Sequence, residues 1–350
     1  MGTPLLSIVI PMSDSVPPEL HRNLSTVAAN LTPACEVLGL SWGCPAEAEE
    51  AFHGSFQGYP HIRLERVPRE FTAGQVFNLG VKKAQGTFLM VMEPENEMTP
   101  TAVERIQALW NEKPTLDLMI MTAVVGRMDD EMYFIPEATI RSFAGLNEGS
   151  GMRLLEKLGE EGLPLRCEAF LGCYRREFLL QHGLLADESI LDQVDLTWTP
   201  RVYLAAHHCS TMQRLLPSFW CVRRPASWRS RHRDKALKAL PRAIHSLAHF
   251  YQGHYKDMPG LARRAWAITA LNPLFRHLFT PHGQGVDGGD AERRQLLRAL
   301  WDDSAEGRTL RQWEFFLSPG ERFFCRLLRL FMRTGVAWPA RLWRKRLDLL

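Results

Sequence analysis

The sequence has no run of eighteen apolar residues, so no helix is expected to cross a membrane. It has no Cys-x-x-Cys pair. Its seven cysteines, at 35, 44, 167, 173, 209, 221 and 325, fall at irregular spacing. That pattern argues against a disulfide framework and a structural zinc site, and fits a reducing compartment with the cytoplasm as default. The start, MGTPLLSIVIP, lacks the basic region and cleavage site of a signal peptide, and Leu6 stands where a myristoylation motif needs Ser or Thr. There is no internal repeat, low-complexity tract or recognised nucleic-acid motif, and no nucleic-acid partner is expected.

What is there suits a globular enzyme or binding protein. The 350 residues are 45% hydrophobic and 23% charged, enough for one large domain plus an appendage. The net charge of +3 conceals an asymmetry, with −11 over residues 1–217 and +14 over residues 218–350. A basic part of this size is expected to face something acidic: phospholipid, a diphosphate-linked lipid, or the acidic half of the same chain.

The chain is organised around Phe71–Glu97. Asn78, Gly80, Ala84 and Gly86 lie on a short helical segment whose small residues admit a neighbouring backbone. Phe88–Met92 is an unbroken apolar run, as in a strand buried on both faces. It ends in Glu93-Pro94-Glu95-Asn96-Glu97. In open α/β sheets ligands bind at the C-terminal ends of strands, and carboxylates there suit a divalent ion held against a diphosphate. The bland alternative is a solvated acidic turn after a core strand.

Elsewhere, strands are expected at Leu5–Pro11, Glu36–Leu40 and His61–Val67, with a helix over Glu19–Asn30. Thr99-Pro100 reads as a helix start with Thr as cap and Pro in the first turn. Leu116–Val125 reads as a single buried strand. The expected divisions are residues 1–217, a basic aromatic-rich helical segment at 218–280 packing on them, a linker at 281–290, and a helical extension at 291–350. Within the extension, Phe323, Phe324, Leu327, Leu328 and Phe331 form one stripe, and Arg322, Arg326, Arg329 and Arg333 another. Such a helix lies in a bilayer interface or packs its stripe on the first domain, and packing is preferred for Phe323–Phe331. Trp343-Arg344-Lys345-Arg346 is the candidate for peripheral contact at the inner face of a membrane.

Asn78-Leu79-Gly80, Ala84-Gln85-Gly86 and the strand running into Glu93-Pro94-Glu95 resemble the family 2 glycosyltransferases. There the last element is Asp-x-Asp. The resemblance implies an α/β GT-A nucleotide-diphospho-sugar transferase fold, a mostly parallel central sheet flanked by helices, here with a helical, basic C-terminal extension. Phe71 with Gly74 is similar to bacterial rhamnosyltransferase-like members. The implied activity is transfer of a sugar, with inversion, from a nucleotide-sugar donor to a glycan or lipid-linked acceptor, in surface polysaccharide or glycan assembly.

The same resemblance assigns residues. Donor contacts would come from Pro11, Ser41, Asn78, Gly80 and Glu93. The acceptor side would hold Gly172, Arg175 and Arg176. Glu93 and Glu95, with His232 or His208 as a late ligand, would hold Mn²⁺ or Mg²⁺. In the family, Glu-Asp-x-Asp-Leu opens a helix with its second residue as the base. Here Asp192-Gln193-Val194-Asp195-Leu196 leaves Asp192, shifted by one position, or Asp195 as catalytic candidates, because Gln193 cannot accept a proton. The family's base-contacting aspartate is replaced by Ser41. With three acidic signatures altered, the alternative is an inactive transferase-like scaffold or binding protein in a glycan-assembly complex.

Overall fold

The computed structural model describes residues 4–14, 16–17, 19–128, 134–140, 148–165, 167–191, 194–212, 218–222, 239–252, 258–276 and 289–335. The chain forms two compact units, residues 1–151 with 167–223, and residues 152–166 with 224–350.

The first unit begins with β1 (Leu6–Met12), buried along its length except at Pro11. It lies between two parallel neighbours, β2 (Cys35–Trp42) and β4 (Phe88–Val91). A strand covered on both faces is apolar at most consecutive positions, and the buried polar exceptions, Ser7 in β1 and Glu36 and Ser41 in β2, are hydrogen-bonded, Ser7 to Glu36 and Ser41 to Glu49. β3 (Ile62–Val67) pairs with β2 at the edge of the sheet and is only partly buried. The connecting helices are α1 (Leu20–Ala28), α2 (Ala46–Ser55) and α3 (Ala73–Lys83). Leu6, Ile8, Ile10 and Met12 join Leu20, Leu24, Val27 and Phe52 in one apolar layer. Each large side chain buried there contributes about 2 kcal/mol. Val9 faces the other way, where α3 comes so close that a Cβ on Gly80 would lie 2.8 Å from Val9 Cγ1. A capping box of Thr72 and Gln75 starts α3. The helix ends at Lys83, so Ala84 and Gly86 follow it and do not belong to it.

Beyond β4 come β5 (Asn96–Met98), α4 (Ala102–Glu112), β6 (Leu118–Ile120), β7 (Ala123–Met128), β8 (Phe134–Ile140) and β9 (Glu148–Gly149). Then follow α5 (Gly151–Glu161), β10 (Gly172–Arg175), α6 (Arg176–Gln181), α7 (Val194–Ala205), β11 (Cys209–Thr211) and β12 (Phe219–Val222). Among the described residues the central sheet has eight strands in the order β3-β2-β1-β4-β10-β6-β11-β9. It is parallel from β3 to β4, while β10 runs antiparallel to β4 and β6. A second sheet, β5-β12-β7-β8, has four strands.

Two local expectations are corrected. Leu116–Val125 is two strands in two sheets: Met121 N–H bonds to Leu171 O at 2.7 Å, and Thr122 O accepts from Ser218 at 2.8 Å. An apolar run carries no mark of which sheet each half joins. The helix after Thr99 starts later, at Ala102. Thr99 is tied to Ser218 O at 3.0 Å, Thr101 takes a left-handed φ of 63°, and Asn30 Oδ1 accepts from Ala102 N at 3.0 Å.

The second unit is helical. Besides most of α5 it contains α8 (residues 239–252), α9 (Gly260–Arg276), α10 (Gly289–Arg298), α11 (Ala305–Trp313) and α12 (Pro319–Thr334). Its core includes Leu158, Leu247, Trp266, Leu271, Trp301, Leu310 and Phe331. Gly159 lets α5 approach α9, since a Cβ there would lie 1.9 Å from Leu261 O. Arg264 bonds Gly159 O at 2.9 Å and pairs with Glu321 at 2.5 Å, linking α5, α9 and α12. The stripe of Phe324, Leu327, Leu328 and Phe331 is buried against α9 and α10 of this unit.

Candidate active site at the C-terminal edge of the sheet

β1, β2 and β4 are parallel and finish at one edge of the central sheet, where antiparallel β10 begins. That edge collects Pro11, Ser41, Glu93 and Gly172. The acidic turn after β4 is fastened by α1. Asn23 Nδ2 donates to Pro94 O at 2.8 Å, Thr26 Oγ1 accepts from Met98 N at 2.9 Å, and Arg22 pairs with Glu97. Glu97 is buried in that pair, leaving Glu93 and Glu95 as the half-buried acids of the turn.

Two further carboxylates approach from distant segments. The Glu93 carboxyl is pushed well above the ordinary glutamate range, first by burial and then by the charges of Asp195, Glu95 and Glu168. Asp195, in the first turn of α7, accepts from Ala169 N at 3.1 Å. Glu168 precedes that amide, and its Oε2 is buried without a hydrogen-bond partner among the described residues. Cys221 on β12, opposite Asn96, completes the surroundings; burial, then Glu93 and Glu168, push its thiol up. A raised carboxyl and an orphaned carboxylate oxygen are marks of uncompensated negative charge, which a proton or a hard cation relieves. Among the described residues, no three His, Cys, Asp or Glu side chains are grouped closely enough to hold a metal ion by themselves.

Ser41 and Asn78 are each held by partners within the protein. Ser41 is buried at the end of β2; its hydroxyl donates to Glu49 at 2.6 Å and lies 3.1 Å from Cys44 Sγ. Glu49 also accepts from Arg66, and the guanidinium, then Ser41, hold its carboxyl below the usual range. A carboxylate is therefore supplied near position 41, but from α2. Asn78 is engaged by the loop after α6. Its amide donates to Ala186 O at 3.0 Å and Glu188 Oε1 at 3.2 Å, and its Oδ1 accepts from Ala186 N at 2.7 Å. Gly80 serves packing on Val9. Thr72 bonds Glu188 O at 2.5 Å and Gly74 N bonds Ile190 O at 3.1 Å, so α3 and its cap hold the loop before Asp192.

Arg175 and Arg176, expected on the acceptor side, are placed away from the acidic edge. Because β10 is antiparallel to β4, Gly172 reaches the acidic edge while Arg175 lies opposite Phe88, at the other end. Arg175 donates to Leu116 O at 2.8 Å and stands 5.1 Å over the Phe88 ring; Arg176 donates to Val81 O and Lys82 O at the C-terminus of α3. His208, one of the two late metal-ligand candidates, also precedes β11 at that far end, its amide bonded to Asp117. Asp192, Gln193, His232 and Trp343–Arg346 lie outside the described residues.

Glu168, Glu49, Arg22 and Asn23 were not legible from the sequence. Glu168 lies in a loop with no motif around it; only the pairing of β10 with β4 brings its segment to this edge.

No family model matches the chain, and no curated protein matches it in sequence. Solved structures do. The crystal structure of S. aureus TarS 1–349 is 12% identical, with a TM-score of 0.50 over 95% of this chain and 92% of that one. The same TarS segment in complex with UDP-GlcNAc is 12% identical, with a TM-score of 0.52 over 89% and 91%. The fold is GT-A. At this identity the likeness concerns the GT-A architecture, and the chemistry of this chain rests on its own residues.

Proposed function

We propose that the first unit transfers a sugar from a nucleoside-diphosphate donor to an acceptor hydroxyl, with inversion at the sugar carbon. The observation that carries it is the meeting of Glu93, Glu95, Glu168 and Asp195 at the C-terminal edge of a GT-A sheet, with the Glu93 carboxyl raised. The UDP-GlcNAc bound by the TarS segment is consistent with a nucleotide-sugar donor.

Two chemical needs follow from the reaction. The leaving diphosphate must have its growing charge neutralised, and the acceptor hydroxyl must lose a proton to a base within hydrogen-bond reach. Glu93 and Glu95 would hold a Mn²⁺ or Mg²⁺ ion through their carboxylate oxygens. Such an ion supplies Lewis-acid neutralisation of the diphosphate. Asp192 takes the base role on the sequence register, and Asp195 holds the start of α7 against Ala169. Ser41 and Glu49 are assigned to the nucleotide side, and Gly172 to the acceptor side.

The likeness to rhamnosyltransferases rests on Phe71 and Gly74. Gly74 packs within 2.2 Å of Asp187 O when a Cβ is added, a structural use that selects no donor. The acceptor is proposed as a glycan or lipid-linked sugar in surface-polysaccharide assembly. No helix among the described residues is long and apolar enough to cross a membrane.

Thermal shift against UDP, GDP, dTDP and CDP, each with and without Mn²⁺ or Mg²⁺, is the first test. Metal-dependent stabilisation by one diphosphate, followed by its release from the matching nucleotide sugar, is expected. A scaffold without catalysis is the second reading, favoured by Gln193 and by the full engagement of Ser41 and Asn78 within the protein. Stabilisation by no nucleotide, with no turnover, would select it.

A further inference from the structure

The second unit carries an exposed face that mixes arginine with aromatic and aliphatic side chains. α12 is well defined at both ends, by the Ser318/Glu321 capping box with Pro319 in its first turn and by Gly335 in the left-handed region. With Phe324, Leu327, Leu328, Phe331 and Met332 turned inward, the helical period turns Arg322, Phe323, Arg326, Leu330 and Arg333 outward, and all five are exposed. Phe323 and Leu330 each retain 39% exposure, and Phe315, in the turn before α12, retains 78%. Arg322 donates to Leu317 O at 2.9 Å and Phe315 O at 3.1 Å, which fixes its guanidinium over that aromatic turn.

Among the described residues, no acid compensates the charge of this face. Glu321, the single acid in α12, is taken by Arg264 and the capping box, and nearby Glu314 is taken by Arg329. Arg326 and Arg333 form no ion pair among the described residues. A second copy docking through the same face would bring these arginines together, within a segment of net charge +14 over residues 218–350. A hydrophilic polyanion would satisfy the guanidiniums and leave Phe315 and Leu330 in water. Anionic lipid satisfies both: guanidiniums meet headgroup phosphates while the apolar tips enter the acyl boundary.

We propose that the exposed Arg–Phe face of α12, with Phe315, docks on an anionic lipid surface. The contact is independent of the donor site and distinct from a tail anchor at 338–350. The test is flotation of the full chain with phosphatidylcholine vesicles with and without phosphatidylglycerol. The wild-type chain floats with the anionic vesicles and not with the neutral ones, and added salt releases it. Arg326→Ala/Arg333→Ala lowers the partition coefficient about thirty-fold, from roughly a fivefold loss per arginine. Phe315→Ser also lowers it, and removal of residues 336–350 leaves most of it. Melting curves and nucleotide-induced shifts of the variants match wild type, which separates this outcome from failure of the donor site. Equal flotation with neutral vesicles, salt-insensitive binding, undiminished binding of the double variant, or complete loss on removing 336–350 would each overturn the proposal. A dimer in lipid-free solution that the double variant dissociates would overturn it too.

Discussion

Asp195 accepts the backbone N–H of Ala169 at 3.1 Å, joining the first turn of α7 to the segment that carries Glu168. One hydrogen bond therefore couples two of the four carboxylates at the sheet edge. An asparagine at 195 can still accept from that amide through its side-chain oxygen, so Asp195→Asn is expected to keep the melting temperature and lower kcat by about tenfold or less. Asp192→Asn is expected to lower kcat by about 10²–10⁴-fold with nucleotide binding intact. A larger loss at 195 than at 192 would move the base role to Asp195.

The raised Glu93 carboxyl has a definite pH signature. Its folded-state pKa lies above the ordinary glutamate value of 4.5, so its contribution to stability is fully present below that value. The contribution is lost as pH rises through the folded-state pKa. Glu93→Gln mimics the protonated form. In metal-free buffer the variant is expected to melt higher than wild type at neutral pH and with a shallower pH dependence, while losing turnover. Parallel melting-temperature profiles for the two proteins would mean that Glu93 is not held near its neutral form.

Asn78 distinguishes scaffold from ligand contact. Asn78→Ala removes both bonds to Ala186 and the one to Glu188, leaving buried backbone groups unpaired. A loss of about 2–3 kcal/mol in urea unfolding is expected. A variant of unchanged stability with weakened nucleotide binding would restore a donor role.

Glu49 is expected to carry the charge that Ser41 lacks. Glu49→Gln should weaken diphosphate binding about tenfold in titration calorimetry, equivalent to about 1.4 kcal/mol. Ser41→Ala, which removes one hydrogen bond to Glu49, should cost about 1 kcal/mol of folding stability. Unaltered nucleotide affinity in Glu49→Gln would confine this carboxylate to its pair with Arg66.

Arg176 secures the C-terminal carbonyls of α3. Arg176→Ala should lower stability by about 1–2 kcal/mol and leave the acceptor KM unchanged, as measured by steady-state kinetics beside thermal melts. A rise in acceptor KM at unchanged stability would return Arg176 to the acceptor side.

Local pattern was enough to reveal the buried strands β1, β2 and β4, the amphipathic α12 and the acidic turn at Glu93. Burial on one or both faces leaves a direct trace in residue spacing, and a strand entering the acidic edge must stop being apolar. What happens between distant segments leaves no such trace. The direction of β10 sends Gly172 to the acidic edge and Arg175 away from it, and the same pairing carries the loop of Glu168 there. The switch between sheets at Met121–Thr122 divides a run whose one polar residue at that point, Thr122, is of a type common inside strands and so marks no break. The sequence by itself determined which segments must be buried and where acid interrupts them. Only the tertiary structure decided which acids meet, because strand register and direction arise from long-range hydrogen bonding and packing, not from any one segment's own composition.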